Sequence, residues 1–436
     1  IFRANDIRGI AFEDLTEEVV FALGKALGTE SINRKQGDFI IGRDGRVSSP
    51  QLFEWVLEGV LSTGCNVINI GVVPSPVFYH STFNLDSSSG VVITGSHNPA
   101  DYNGFKILFN NNSTSSEEIQ SIKKRVKEQD FLSGTGNIKS LDVVESYVKE
   151  VTNNIELNRP LNISIDCGNG AASVDAERVY QGLGCKVKGL YCDLDGNFPN
   201  HHPDPSRPEN VEDLIKSVLE NESEIGLAFD GDADRLGVIS PSGEMIFPDM
   251  QMILFSEHVL KKNPNSKIVF DVKCSKLLEE AILESKGIPL MSKTGHTFIK
   301  SMIRNHGAIL GGEMSGHIFF NDRWPGFDDG IYAGARMLEI LSLSESEDIF
   351  KSLPKLISTP EINVETTDED KFSIINDFKK MSNFKDGKII DVDGIRVEFE
   401  NGWGLLRASN TSPVLVLRFE ADSSEALNNI KDRFKD

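Results

Sequence analysis

The chain has 436 residues, 39% hydrophobic and 25% charged, the composition of a globular protein long enough for about two to four domains. Lys plus Arg 45 against Asp plus Glu 66 leaves a net charge of −21, a field that repels nucleic acid and anionic membrane surfaces. No apolar stretch approaches the ~20 residues needed to cross a bilayer, and Arg3, Asp6 and Arg8 stand where a signal peptide needs an apolar core, so a cytoplasmic protein is expected.

In chain order, a β-branched run at 38–41 opens a βα pattern that continues through a helix expected over 51–62 to a second apolar run at 90–93. That run stops in the polar loop Thr94-Gly95-Ser96-His97-Asn98-Pro99. The polar stretch 110–116 reads as a surface turn. The plan then repeats. Residues 162–165 open a second unit whose later run, 225–229, ends in Asp230-Gly231-Asp232-Ala233-Asp234-Arg235. Residues 267–270 open a third, with a helix at 275–286 and a run at 308–310 ending in Gly312-Glu313-Met314-Ser315-Gly316-His317, followed by a helix at 330–343. From about Pro360 the pattern changes to short strands, a turn expected at Gly402-Trp403-Gly404 and a final helix, which predicts a small α+β domain with an antiparallel sheet. The fold class is therefore α/β: three related α/β domains with mixed sheets, plus a C-terminal α+β domain. Domains are expected over 1–140, 141–243, 244–356 and 357–436, with each chemistry-bearing loop at the carboxyl end of a strand.

Asp230, Asp232 and Asp234 alternate on a tight loop, so all three can turn onto one hard cation such as Mg²⁺. An EF-hand is excluded, because Arg235 stands at its glycine position and Pro241 at its bidentate glutamate position. A solvated acidic turn is the plain alternative. Arg235 argues for a phosphate ligand, since a guanidinium grips phosphate oxygens while the ion neutralises the rest. The overall charge repels such a ligand, so a pocket for it needs local cations; Arg8, Arg43, Lys106, Arg235, Lys273 and Arg407 all fall in Gly-rich loops. Ser96, if not simply a capping serine, has Gly95 for close backbone approach and His97 and Lys106 as cations or proton carriers. Phosphorylated, it would add an oxygen to the three aspartates at a metal ion. The five cysteines contain no C-x-x-C pair and read as reduced thiols. Asp166-Cys167-Gly168-Asn169-Gly170 imitates a dinucleotide fingerprint, but its third small position is offset, and a packing turn explains it.

The Ser96, Asp230 and Glu313 loops, together with Arg407-Ala408-Ser409-Asn410-Thr411-Ser412-Pro413, resemble the α-D-phosphohexomutase superfamily and within it the bacterial phosphomannomutase/phosphoglucomutase branch. The likeness runs from Phe2-Arg3-Ala4-Asn5-Asp6-Ile7-Arg8-Gly9 to the C-terminal domain. It implies four domains around a central cleft. It also implies phosphoryl transfer between C1 and C6 of glucose and mannose phosphates through a phosphoserine at Ser96 and a hexose 1,6-bisphosphate. By the same resemblance Mg²⁺ sits on Asp230, Asp232, Asp234 and the Ser96 phosphoryl oxygen, with Arg8, His97, Lys106 and Arg235 near the transferring group. Lys273, His296, Glu313, Ser315 and His317 are implied to contact the sugar, and Arg407, Ser409, Asn410 and Thr411 the second phosphate. Lys106 and His97 are both candidates for the general base.

Partners are expected to be small sugar phosphates, with no nucleic acid or membrane, and the protein a monomer or weak dimer. Two rivals are a phosphoglucosamine mutase, disfavoured by Met314 and by Asn410-Thr411-Ser412, and a non-catalytic sugar-phosphate-binding scaffold. Asn5 departs from the tyrosine often found in the family, and the sequence starts close to that motif without methionine, so a few residues are expected to precede it.

Overall fold

The computed structural model describes residues 1–2, 6–410 and 412–435, so Asn5 and Thr411 lie outside the described residues. Contacts divide the chain into two compact units, Ile1–Phe247 with Ser315–Lys351, and Pro248–Met314 with Ser352–Asp436.

The first unit opens with β1 (Ile7–Ile10), β2 (Phe39–Arg43), β3 (Val67–Val72), β4 (Gly90–Ile93), β5 (Tyr102–Phe109), β6 (Asn112–Ser113) and β7 (Ile138–Ser140). They form a mixed sheet of order β1-β5-β4-β2-β3-β7, with β6 beside β5. A second sheet uses β8 (Asn162–Asp166), β9 (Lys186–Leu190), β10 (Ile225–Phe229), β11 (Leu236–Ile239) and β12 (Met245–Ile246), in the order β12-β11-β10-β8-β9. In the second unit, β13 (Lys267–Asp271) pairs in parallel with both β14 (Ile288–Ser292) and β15 (Leu310–Gly312).

One arrangement recurs three times. β2, β8 and β13 each lie between the two strands that follow in the repeat, and all six pairings are parallel. β4, β10 and β15 are buried along their whole length, which explains their uninterrupted apolar character, because helices cover both faces of a parallel sheet. Each ends where a chemistry-bearing loop begins. Strand β15 starts two residues later than its apolar run suggests: Ala308 N closes the preceding helix on Ile303 O at 3.0 Å, and Ile309 N makes the first bond toward β13, to Lys267 O at 3.1 Å.

The C-terminal sheet is antiparallel, with Val414–Ala421 between Gly402–Ala408 and the short strands Ile357–Ser358 and Ile362–Glu365. The turn expected at Gly402-Trp403-Gly404 is corrected here. These residues open a strand, and the turn falls at Glu400-Asn401. Burial decides the matter: Trp403 is 0% exposed, donates Nε1 to Glu420 Oε1 at 2.8 Å and carries the Arg396 guanidinium 3.9 Å above its ring. The 110–116 stretch likewise contains β6 and the start of helix Ser116–Glu128, with a capping box between Ser115 and Glu118. No described helix is long and apolar enough to cross a membrane, and no cysteine is in a disulfide.

Helix Gly330–Leu341 in the first unit is buried at every position and begins on a buried carboxylate. Asp329 accepts from Tyr332 N at 2.8 Å, from the Tyr147 hydroxyl at 2.9 and 3.0 Å, and from Trp324 Nε1 at 3.2 Å. Burial still lifts its pKa from 3.8 to about 7, against the pull of these donors. The folded protein therefore keeps a proton here that the unfolded chain has already released, and its stability falls as pH rises from about 4 through 7. Asp329→Asn retains the capping oxygen and is expected to flatten that part of the stability profile, measured by urea midpoints across this range; an unchanged slope would contradict the assignment.

Candidate active site

The loop after β4 places Ser96 in the left-handed region at φ 50, an uncommon conformation for a residue with a Cβ that costs about 1–3 kcal/mol. Its amide donates to Thr94 Oγ1 at 2.9 Å. Its Oγ donates to Asp230 Oδ2 at 3.0 Å and lies 3.1 Å from His97 Nδ1. The strained turn thus aims one hydroxyl at the carboxylate loop.

That loop follows β10 and is as tightly wound as its spacing implies. Asp230 Oδ1 accepts from the amides of Asp234 at 3.1 Å and Arg235 at 3.2 Å, with Ala233 between them at φ 62. A Cβ at Gly231 would sit 2.2 Å from Ser96 O, so only glycine lets the two loops meet. Asp230, Asp232 and Asp234 are all 0% exposed, and one oxygen of each lies within 4.8 Å of the others. Lys106 Nζ bridges Asp232 Oδ2 and Asp234 Oδ2, at 2.5 Å each, and Ser75 Oγ adds a bond to Asp232 Oδ2 at 2.5 Å.

Among the described residues, Asp232 Oδ1 and Asp234 Oδ1 are buried with no hydrogen-bond partner. Burial, then repulsion from Asp232 and Asp234, pushes the Asp230 carboxyl well above its usual range. Buried carboxylates left short of donors and of compensating charge are what an oxygen-ligated divalent cation resolves, so the residues fit Mg²⁺.

Five cationic or imidazole side chains stand in or beside these loops. Arg235 Nε donates to His317 Nε2 at 3.0 Å and lies 3.8 Å from Asp230 Oδ2. His317 Nδ1 in turn lies 3.2 Å from Asp328 Oδ2 and 3.4 Å from Asp234 Oδ1. Arg8, on β1, donates to Asn98 Oδ1 at 2.7 Å and pairs with Asp6 at 2.6 Å. The two candidate bases differ in readiness. Burial works to lower Lys106, but Asp232 and Asp234 outweigh it and hold the ammonium well above its ordinary pKa. Burial followed by the charges of Arg235 and Arg8 drops His97 well below the usual histidine value, so the imidazole is neutral.

The first unit therefore assembles Arg8, Ser96, His97, Lys106, Asp230, Asp232, Asp234, Arg235 and His317, with Ser315 half-buried in the same unit as His317. His317, expected at the sugar, stands against Asp234 and Asp328. The second unit holds the others. Arg407 is buried and pairs through Nε with Asp393 Oδ2 at 2.8 Å, leaving a buried Nη2 with no hydrogen-bond partner among the described residues. Asn410 Nδ2 donates to Thr294 O at 3.0 Å, and Ser409 Oγ accepts from Ser412 N at 3.2 Å. Glu313 accepts from Gly295 N at 2.5 Å, one residue before His296 opens a helix. Lys273 pairs with Glu361 at 2.6 Å.

Several supporting residues escape sequence reading. Lys371 reaches from a helix start to Ser409 O at 2.8 Å and Ser412 O at 3.3 Å, bracing the Arg407 loop. Arg46 does the same for the Ser96 loop, with four bonds to its carbonyls. A signal for Arg46 exists in the run Gly42-Arg43-Asp44-Gly45-Arg46, a polar Gly-bearing loop after β2 like those after β4 and β10.

Four family models match the chain in order. They are described as phosphoglucomutase/phosphomannomutase alpha/beta/alpha domains I over residues 1–133, II over 145–243 and III over 247–360, and the C-terminal domain over 361–436. A phosphomannomutase/phosphoglucomutase of Pseudomonas aeruginosa is 48% identical over 437 residues, covering 100% of this chain and 94% of that protein. A phosphoglucomutase of Neisseria gonorrhoeae is 46% identical over 440 residues, covering 100% and 96%. The crystal structure of a phosphoglucomutase/phosphomannomutase family protein from Burkholderia thailandensis superposes with a TM-score of 0.95 at 42% identity, covering 100% of this chain and 96% of that one.

Proposed function

The chain belongs to the phosphoglucomutase/phosphomannomutase family, and from that premise we propose that it interconverts the 1- and 6-phosphates of glucose and mannose through a phosphoserine at Ser96. The observation that carries the assignment is the Ser96 hydroxyl, held 3.0 Å from Asp230 in a cluster of three buried carboxylates.

In this reading Ser96, already phosphorylated, faces a hexose monophosphate. The free C1 or C6 hydroxyl attacks phosphorus; its O–H proton passes to a base drawn from His97 or Lys106, of which His97 is already neutral. The P–O bond to Ser96 breaks, and the Oγ leaves with a proton donated from the same pair. The product is a hexose 1,6-bisphosphate. Turned over, it presents its other phosphate to Ser96, and the reverse transfer restores the phosphoserine. Mg²⁺, held by Asp230, Asp232, Asp234 and an oxygen of the Ser96 phosphoryl group, would spread the charge of the transferring group. Arg8 and Arg235 supply fixed positive charge beside it. Arg407, with its unused Nη2, together with Ser409, Asn410 and Thr411, binds the phosphate that is not transferred. Lys273, His296, Glu313 and Ser315 hold the sugar. A cytoplasmic location accords with the unpaired cysteines.

Rates on glucose 1-phosphate, mannose 1-phosphate and glucosamine 1-phosphate test the reading. Turnover of the first two with Mg²⁺ is expected. Clear preference for the amino sugar would make the protein a phosphoglucosamine mutase, and binding without turnover would make it a scaffold.

A further inference from the structure

We propose that Arg46 is a positioning residue for phosphoryl transfer, holding Ser96 in its left-handed conformation by gripping the backbone of the Ser96 loop; this rests on the reading that Ser96 carries the phosphoryl group. Arg46 is 1% exposed. Its Nη2 donates to Ser96 O at 2.7 Å and Asn98 O at 2.8 Å, and its Nη1 to Pro99 O at 2.6 Å and Tyr102 O at 3.0 Å. All four acceptors are backbone carbonyls within seven residues of one loop, 50 to 56 positions away in sequence. None is a carboxylate, so the guanidinium is not neutralised by the groups it holds.

Its charge partner is Asp44, whose Oδ2 lies 3.2 Å from Arg46 Nε. The same oxygen accepts from Gly95 N at 3.2 Å, and Oδ1 accepts from Arg46 N at 3.1 Å and Ser49 Oγ at 2.5 Å. The Arg46–Asp44 pair thus brackets the loop, one member taking the amide before Ser96 and the other the carbonyl of Ser96 itself. Two close approaches leave the loop little room. A Cβ at Gly95 would meet Arg46 Cζ at 2.5 Å, and Ser96 O is the atom against which Gly231 packs. The Phe198 ring covers the guanidinium with its centroid 5.0 Å from Cζ.

Ser96 at φ 50 needs outside support, because an isolated serine prefers other wells. A planar fork of donors that stays protonated can span four carbonyls, whereas a lysine ammonium offers three donors from one point. Arg46 touches neither the hydroxyl nor the carboxylate cluster. Its loss should therefore misplace the Oγ while leaving the sugar-binding groups and the three aspartates intact.

The test compares wild type with Arg46→Ala, Arg46→Lys and Ser96→Ala, measuring kcat and KM for glucose 1-phosphate, Mn²⁺ affinity, and recovery with millimolar guanidinium chloride. Arg46→Ala is expected to lower kcat about 10²-fold, the effect of a displacement near 1 Å. KM, and Mn²⁺ affinity of the unphosphorylated protein, should stay within about threefold, guanidinium should restore part of the rate, and Arg46→Lys should recover little. Should Arg46→Ala not fold, Arg46→Lys carries the test on the same split, with a drop in kcat at unchanged KM. A folded variant at wild-type kcat, or a loss confined to KM, overturns the proposal. Full activity in Ser96→Ala would instead overturn the phosphoserine reading, whatever Arg46 does.

Discussion

Ser96→Ala is expected to lower kcat by at least about 10⁴-fold on either hexose phosphate, because removing a covalent nucleophile removes the route rather than one contact along it. No neighbouring group can replace it. His97 shares the hydroxyl's surroundings but is placed to exchange a proton with it, 3.1 Å away, and the three aspartates face one another as ligands do. The fold should survive, since Ser96 stays within a loop braced by four Arg46 bonds. The hydroxyl's contacts with Asp230 Oδ2 and His97 Nδ1 are what is lost. Stopped assays of the variant, with circular dichroism to verify the fold, check the expectation; a rise in KM with kcat intact would mean that Ser96 only binds substrate.

The second large effect concerns Asp230, whose carboxyl is both a candidate ligand and a group whose ionised form is opposed by its surroundings. Asp230→Asn keeps an acceptor for the Asp234 and Arg235 amides but removes one of three buried negative charges. With Mg²⁺ present, kcat should fall roughly 10³-fold, the scale seen when charge stabilisation of a transition state is lost. Stability should respond in the opposite sense. Burial and the charges of Asp232 and Asp234 raise the Asp230 pKa well above 3.8. The metal-free protein therefore holds a proton that the unfolded chain has released, and it loses stability as pH rises from the ordinary carboxylate range through that raised pKa. Asp230→Asn should flatten this loss and raise the apparent Tm in chelator. Mg²⁺ at about 100 times its Kd should stabilise wild type by about 2.7 kcal/mol and the variant much less. Equal Mg²⁺ stabilisation of both would remove Asp230 from the ligand set.

Much of this was legible in the chain because it follows from local pattern. Strands at 90–93 and 225–229 coincide with their apolar runs, since a strand buried on both faces has no polar alternation to blur its ends. The repeat of opener, crossover and loop-bearing strand is likewise a pattern of short segments. What failed or was missed depends on distant partners. Gly402-Trp403-Gly404 has turn composition, yet Trp403 is drawn into the second unit's core beside Val272 and Leu405. Arg46 and Lys371 act on carbonyls, which every residue has, so nothing at the receiving positions marks them. The carboxylate cluster was readable because its three aspartates alternate on one loop. Lys106, 126 residues from Asp232 in sequence, became its bridge only through the fold.

Peptide mass mapping of the protein after incubation with glucose 1,6-bisphosphate and Mg²⁺, followed by a chase with glucose 6-phosphate, tests the account most directly. One phosphoryl group on the Ser96 peptide, discharged by the chase at a rate no slower than turnover, is the predicted result. Steady turnover with that peptide never phosphorylated would contradict it.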